Sequence, residues 1–146
     1  MISWKLFTFN EMEAGDLYQI LKARQDIFII EQNCIYPDID QLDQLSLHLL
    51  MYHDSNFAGY LRIVPPGIKF TEVSLGRILI LPSFRGKKHA YLLVEKGKKI
   101  SNSRFQGAIR IEAQSYLTPF YEKCGFRKDS DIYDLDGIDH LQMICD

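Results

Sequence analysis

A mixed α/β sheet with helices on its faces is the fold class this sequence predicts, on three observations. Apolar residues recur at three- and four-residue spacing near the start, as on a helix. Apolar runs at residues 73–81 and 108–113 read as strands buried on both faces. Turn clusters at Asp54-Ser55-Asn56 and Asp136-Gly137 each sit between strand-like segments and close hairpins. With 146 residues, 47% of them hydrophobic and 25% charged, the chain fits one domain, residues 1–146, that buries a core without disulfides or metals.

The elements follow in order. Residues 3–9 alternate apolar and polar side chains as a strand does. Leu17, Ile20, Leu21, Arg24, Ile27 and Phe28 share one helical face, which predicts a helix over 14–28. The segment EQNCIYPDIDQLDQ has no period and contains Pro37, so it is a loop. Strands 47–53 and 57–64 form a hairpin, closed off by Pro65-Pro66-Gly67. The run 73–81 should be a central strand that stops or bulges at Pro82, since proline donates nothing to a ladder. A helix resumes soon after, with Ala90, Leu92, Leu93 and Ile100 inward. A strand (108–113), a short helix (117–124) and a hairpin over 126–144 complete the order of strand, helix, three strands, helix, strand, helix, two strands.

Composition narrows the function. The net charge is −2 and the pI about 6.1, so the molecule as a whole has no pull toward a polyanion, and nucleic acid is not an expected partner. No run approaches the roughly 18 apolar residues of a membrane span, and the start lacks the pattern of a leader, so neither a membrane nor secretion is expected. The expected location is cytoplasmic. Cys34, Cys124 and Cys145 are odd in number and widely spaced, which suggests reduced thiols and no metal site.

One stretch departs from this even charge. LPSFRGKKHAYLLVEKGKK, residues 81–99, carries Arg85, Lys87, Lys88, Lys96, Lys98 and Lys99 against Glu95 alone. A strand that breaks into a glycine-containing basic turn and then a helix suits a phosphate group. Free N–H groups and the helix dipole add to the full charges, and Gly86 permits close backbone approach.

The motifs and their spacing sharpen this. RGKKHA after a buried strand resembles the Arg/Gln-x-x-Gly-x-Gly/Ala pyrophosphate loop of the GNAT N-acetyltransferase superfamily, and PFYEKCGF at 119–126 resembles its LYEKxGF segment. RQDIFIIEQNCIYPDID, His48, GRILIL, the Ala-Gln at 113–114 and DGIDHLQM are similar to its ElaA-like branch. Lys88 stands where the loop pattern has its middle glycine, which exchanges a close backbone approach for a charge.

This resemblance implies a mostly antiparallel sheet with a splayed pair of strands and helices on both faces. It implies transfer of an acetyl group from acetyl-CoA, as co-substrate, to a primary amine on a small molecule or peptide. Backbone groups of Ile78, Leu79, Ile80 and Leu81 would meet the pantetheine arm and the thioester carbonyl, with the bulge at Pro82 opening the splay. Arg85, Gly86, Lys87, Lys88, His89 and Ala90 would cradle the pyrophosphate. Tyr121 would protonate the leaving thiolate, a step suited to a phenol that holds its proton at neutral pH.

The base that frees the amine stays open among Glu112, His140, Glu31, His48 and an ordered water. Glu31 and Gln32 would border the acceptor. Arg77, in an otherwise apolar strand, requires a carboxylate partner from the protein or the substrate. The carboxylates of the 31–44 loop would favour a cationic acceptor. The chain would act as a monomer or homodimer. Acyl-homoserine-lactone synthases, which share the implied architecture but lack a clear match to PFYEKCGF, and a non-catalytic module that binds CoA or RNA are the alternatives.

Overall fold

The computed structural model describes all 146 residues. The strands are β1 (Ile2–Thr8), β2 (Leu47–His53), β3 (Asn56–Val64), β4 (Val73–Ile80), β5 (Ile109–Gln114), β6 (Arg127–Lys128), β7 (Tyr133–Leu135) and β8 (Ile138–Cys145). They form one sheet in the order β1-β2-β3-β4-β5-β8-β6, with β7 also paired to β8. Every pairing is antiparallel except β4 with β5. No helix is long and apolar enough to cross a membrane.

Period-two alternation divides the core between the two faces of the sheet. Leu49, Met51, Leu61, Leu75, Ile111 and Met143 pack with Leu93 and Val94 of α2 (His89–Arg104) and with Tyr121 of α3 (Thr118–Lys123). On the opposite face Leu50, Tyr60 and Leu79 pack under Ile20 and Ala23 of α1 (Ala14–Arg24). The first helix does not run evenly to Phe28. It widens into a π-helical segment, Gln25–Glu31, which carries the chain over the sheet toward the 31–44 loop.

Three sequence expectations change. On α2, Leu93, Val94, Gly97 and Ser101 are buried while Leu92 is exposed. The helix approaches the sheet on Gly97, where an added Cβ would lie 2.9 Å from Leu61 Cδ2. β5 is not buried on both faces: Ile109, Ile111 and Ala113 enter the core, whereas Arg110, Glu112 and Gln114 are half-buried on the other side. The chain closes with three strands, because the two-residue β6 precedes the Asp136-Gly137 hairpin.

The bulge also lies elsewhere than at Pro82. Tyr60 pairs with Leu79 and Arg62 with Gly76, so Arg77 and Ile78 together face Leu61. Arg77 takes φ 52°, a left-handed conformation rare for a residue with a side chain. Pro82 only opens a short 3-10 turn, Pro82–Phe84, after the strand has ended.

Candidate active site

The parallel pairing of β4 with β5 is confined to Val73 with Ile109 and Ser74 with Arg110. Beyond Ser74 the strands part, and a cavity of about 140 Å³ fills the gap, lined by Arg77, Ile78, Glu112, Gln114, Tyr121 and His140 among others. It connects the two faces. Tyr121 belongs to the core on the α2 and α3 side. Glu112 and Gln114 alternate with core residues of β5 and so project to the α1 side. There a second cavity of about 280 Å³ continues, bordered by Cys34, Tyr36, Lys69, Glu112 and His140.

At the outer end of β4 the loop turns into α2. Gly86 has φ 80° and Lys88 φ 64°, so a lysine occupies a left-handed position that suits glycine. Of the N–H groups of residues 86–91, none donates to an acceptor of the chain. Arg85, Lys87 and Lys88 are exposed around them. Arg85 Nε donates to the Ile80 carbonyl at 3.0 Å, and its Nη1 lies 3.0 Å from Glu31. The His89 side chain turns inward to His53, with Nε2 2.8 Å from His53 Nδ1, so toward the loop this residue offers only its backbone.

Tyr121 is buried, with Phe120 and Phe126 edge-on to its ring. Burial raises its phenol well above the ordinary tyrosine value, with nearby Cys124 and Tyr116 adding to the shift, so it keeps its proton at neutral pH. Across the gap, Glu112 accepts a hydrogen bond from Tyr133 Oη at 2.6 Å and an ion pair from Lys69 Nζ at 3.1 Å. Burial pushes the Glu112 carboxyl upward, but Tyr133, Lys69 and His140 outweigh it and hold it below the ordinary glutamate range. His140 Nδ1 lies 2.7 Å from the Ile138 carbonyl. A carbonyl only accepts, so Nδ1 carries the proton and Nε2 of the neutral ring keeps a lone pair. Gln114 Nε2 donates to Gln32 Oε1 at 3.1 Å and ties β5 to the 31–44 loop.

Residues 22–146 match the family model described as the acetyltransferase (GNAT) domain. The chain belongs to the GNAT acetyltransferase family. It is 35% identical to a UPF0039 protein of Synechocystis, covering 98% of this chain and 94% of that one. It is 30% identical to protein ElaA of Escherichia coli, covering 98% and 95%. The crystal structure of Escherichia coli ElaA superimposes with a TM-score of 0.92 at 29% identity, covering both chains completely. An acyl-CoA N-acyltransferase from Pseudomonas aeruginosa superimposes equally well, with a TM-score of 0.92 at 26% identity and complete coverage of both chains.

Within this GNAT fold the remaining residues singled out from the sequence separate cleanly. His48 is completely buried, its Nδ1 2.7 Å from Tyr60 Oη and its Nε2 2.9 Å from the Asp43 carbonyl, so neither nitrogen is free for a base. Glu31 sits on Arg85 at the loop, away from Glu112 and His140. All three cysteines are buried free thiols. Burial, with Glu95 and Cys145 adding to it, pushes the Cys124 thiol up to about 11, which disfavours a nucleophilic thiolate.

The acidic loop has a different role from the one its composition suggested. Asp38 and Asp43 accept from the buried Arg24 at 2.8 Å, and Arg62 bridges Asp40 and Asp43 at 2.8 and 2.9 Å. Arg77 Nε lies 2.8 Å from Asp38 and its Nη2 3.3 Å from Asp40, so its partners are structural. These three carboxylates are paired with three arginines. Arg24 on the inner face of a helix and Arg62 inside an apolar strand were the readable signals, since a buried guanidinium requires acids. Lys69 and Tyr133, which flank Glu112, carried no such signal.

Proposed function

We propose that this chain is an N-acetyltransferase, with residues 1–146 as one catalytic domain, that transfers an acetyl group from acetyl-CoA to a primary amine by direct attack. One observation carries the reading: β4 and β5 part after two residue pairs, leaving a gap with Tyr121 on one face and Glu112 and His140 on the other. The free N–H groups of residues 86–91 and the charges of Arg85, Lys87 and Lys88 suit a pyrophosphate. Likeness to an acyl-CoA N-acyltransferase supports an acyl-CoA donor.

Acetyl-CoA supplies a thioester whose carbonyl carbon accepts the amine and whose sulfur leaves. The backbone of Ile78, Leu79 and Ile80 would border the pantetheine arm and offer amide groups to the carbonyl oxygen as it gains charge, whereas the Leu81 N–H, counted with them from the sequence, already donates to the Ala58 carbonyl at 2.8 Å. Tyr121 donates its proton to the sulfur. The burial that raises the phenol also makes a nearby thiolate more basic, so the transfer remains favourable. Glu112, ionised at neutral pH, suits binding the acceptor ammonium better than removing its proton. His140 Nε2 takes that proton directly or through water.

Acetyl-CoA at ~100 times its dissociation constant should stabilise the fold by ~2.7 kcal/mol, read as a raised melting temperature. Tyr121→Phe should keep that rise and lower kcat by ~10²–10⁴-fold. No melting shift at millimolar acetyl-CoA would sink the donor assignment. An unchanged kcat in the variant would return Tyr121 to the role of a core tyrosine.

A further inference from the structure

Most charges on the acceptor side of the gap already have a fixed partner; Asp136, exposed at the rim of the cavity, forms no ion pair. Asp38, Asp40 and Asp43 are held by Arg24, Arg62 and Arg77. The Lys69–Glu112 pair differs. Its N···O distance is 3.1 Å, its side chains are 29% and 18% exposed, and both line the 280 Å³ cavity on the acceptor side.

The two partners differ in freedom. Glu112 is fixed on β5, with the Tyr133 hydroxyl at 2.6 Å. Lys69 rises from the connection between β3 and β4, outside any strand, on a four-carbon stem whose ammonium has the Phe70 ring as its only other partner, 5.6 Å to the centroid. Its flexible stem leaves the ammonium free to be displaced while the strand holds the carboxylate.

We propose that the acceptor is a zwitterionic amino acid that inserts into this pair, its ammonium on Glu112 and its carboxylate on Lys69. The inference rests on the acetyltransferase reading above. The ammonium and carboxylate of an α-amino acid lie roughly 3 Å apart by covalent geometry, so one small molecule bridges two groups that separate by a side-chain swing. After insertion each of the four charges faces an opposite one. A diamine would bring a second cation beside Lys69, and an acid without an amine would set two carboxylates against each other. A neutral-bodied amine would displace Lys69 and return nothing to it. In the reaction the N–C bond forms as the C–S bond breaks. The ammonium gives one proton to His140 or water before attack, its second proton replaces the one that Tyr121 gives to the sulfur, and the products are an N-acetyl amino acid and CoA thiol.

The test is a set of acceptors with matched side chains, namely the free amino acid, its amide and its decarboxylated amine, with putrescine as the diamine, assayed by thiol release with acetyl-CoA. The free amino acids should give the highest kcat/KM, at least about tenfold above their decarboxylated amines, as loss of a charge-assisted hydrogen bond implies. In Lys69→Met that ratio should collapse toward one, and Lys69→Arg should restore part of it. The acetyl-CoA melting shift reports that each variant folds and binds the donor. Higher kcat/KM for the decarboxylated amines or putrescine, or a ratio unmoved by Lys69→Met, overturns the inference and leaves the acetyltransferase reading standing. Absence of any melting shift or of transfer to every amine overturns that reading, and this inference with it.

Discussion

The ion pairs under α1 and the ion pairs along the cleft use the same chemical groups under opposite constraints. Arg24 and Arg62 are 0% and 1% exposed, and each reaches two aspartates. Lys69–Glu112 and Arg85–Glu31 are partly open to water, with one carboxylate per cation. In the first region the two guanidiniums are sealed and the carboxylates are shared, Asp43 between Arg24 and Arg62 and Asp40 between Arg62 and Arg77. Their geometry is over-determined, and they tie the 31–44 loop to β3 and to Arg77 in the β4 bulge. In the second, water or a ligand replaces a partner at little loss, which is what a binding surface requires. Burial and partner number, more than the presence of an ion pair, separate scaffold from site.

Removing a cation from each region should break or sharpen this comparison. Arg24→Ala leaves Asp38 and Asp43 short of a buried partner, and the expected loss is ~3–5 kcal/mol, a large share of a domain's stability. Urea titration reads it directly. Lys69→Met should change stability by about 1 kcal/mol or less. Equal losses in the two variants would erase the distinction.

The next effect concerns the loop before α2. Arg85→Glu should remove most of the ~2.7 kcal/mol that saturating acetyl-CoA adds. Glu31→Gln should weaken binding little or strengthen it, because it frees Arg85 from an exposed pair. Thermal melts with and without acetyl-CoA compare the two. Loss of binding in Glu31→Gln would mean that the pair is needed as a unit.

The smallest expected effect is a two-stage dependence of stability on pH. Burial holds His48 below the ordinary histidine value, against the pull of Asp43, so the unfolded chain takes up a proton there first. Stability should decline gently as pH falls below about 6.5. For Asp40, burial acts upward, but Arg62 and the Leu42 N–H outweigh it and hold the carboxyl at about 2. Asp43 is likewise held low, by Arg24 and Arg62 against its burial. Their contribution is complete above the ordinary aspartate value of about 4 and is lost as pH falls toward 2. Melting temperatures from pH 8 to pH 2 should show both stages. A flat profile between 6.5 and 4.5 would remove His48 from the account.

Local pattern in the chain determined where most strands and helices form: β1 alternates between exposed and half-buried residues, and β2 and β3 are apolar segments joined by a turn cluster. It also marked the turn into α2, since a glycine-basic turn before a helix has chemistry of its own whatever surrounds it. Period alone could not say that α2 rests on Gly97, which has no side chain for a hydropathy pattern to register. Nor could it move the bulge from Pro82 to Arg77. That position follows from the register between β3 and β4, with the Arg77 side chain anchored on Asp38 and Asp40. The same limit applies to charge. In one dimension Asp38, Asp40 and Asp43 form an acidic run. Only the tertiary structure brings up Arg24, Arg62 and Arg77 to neutralise them, and only it sets Lys69 on Glu112. Electrostatic partners are chosen by distance through space, and the sequence states only distance along the chain.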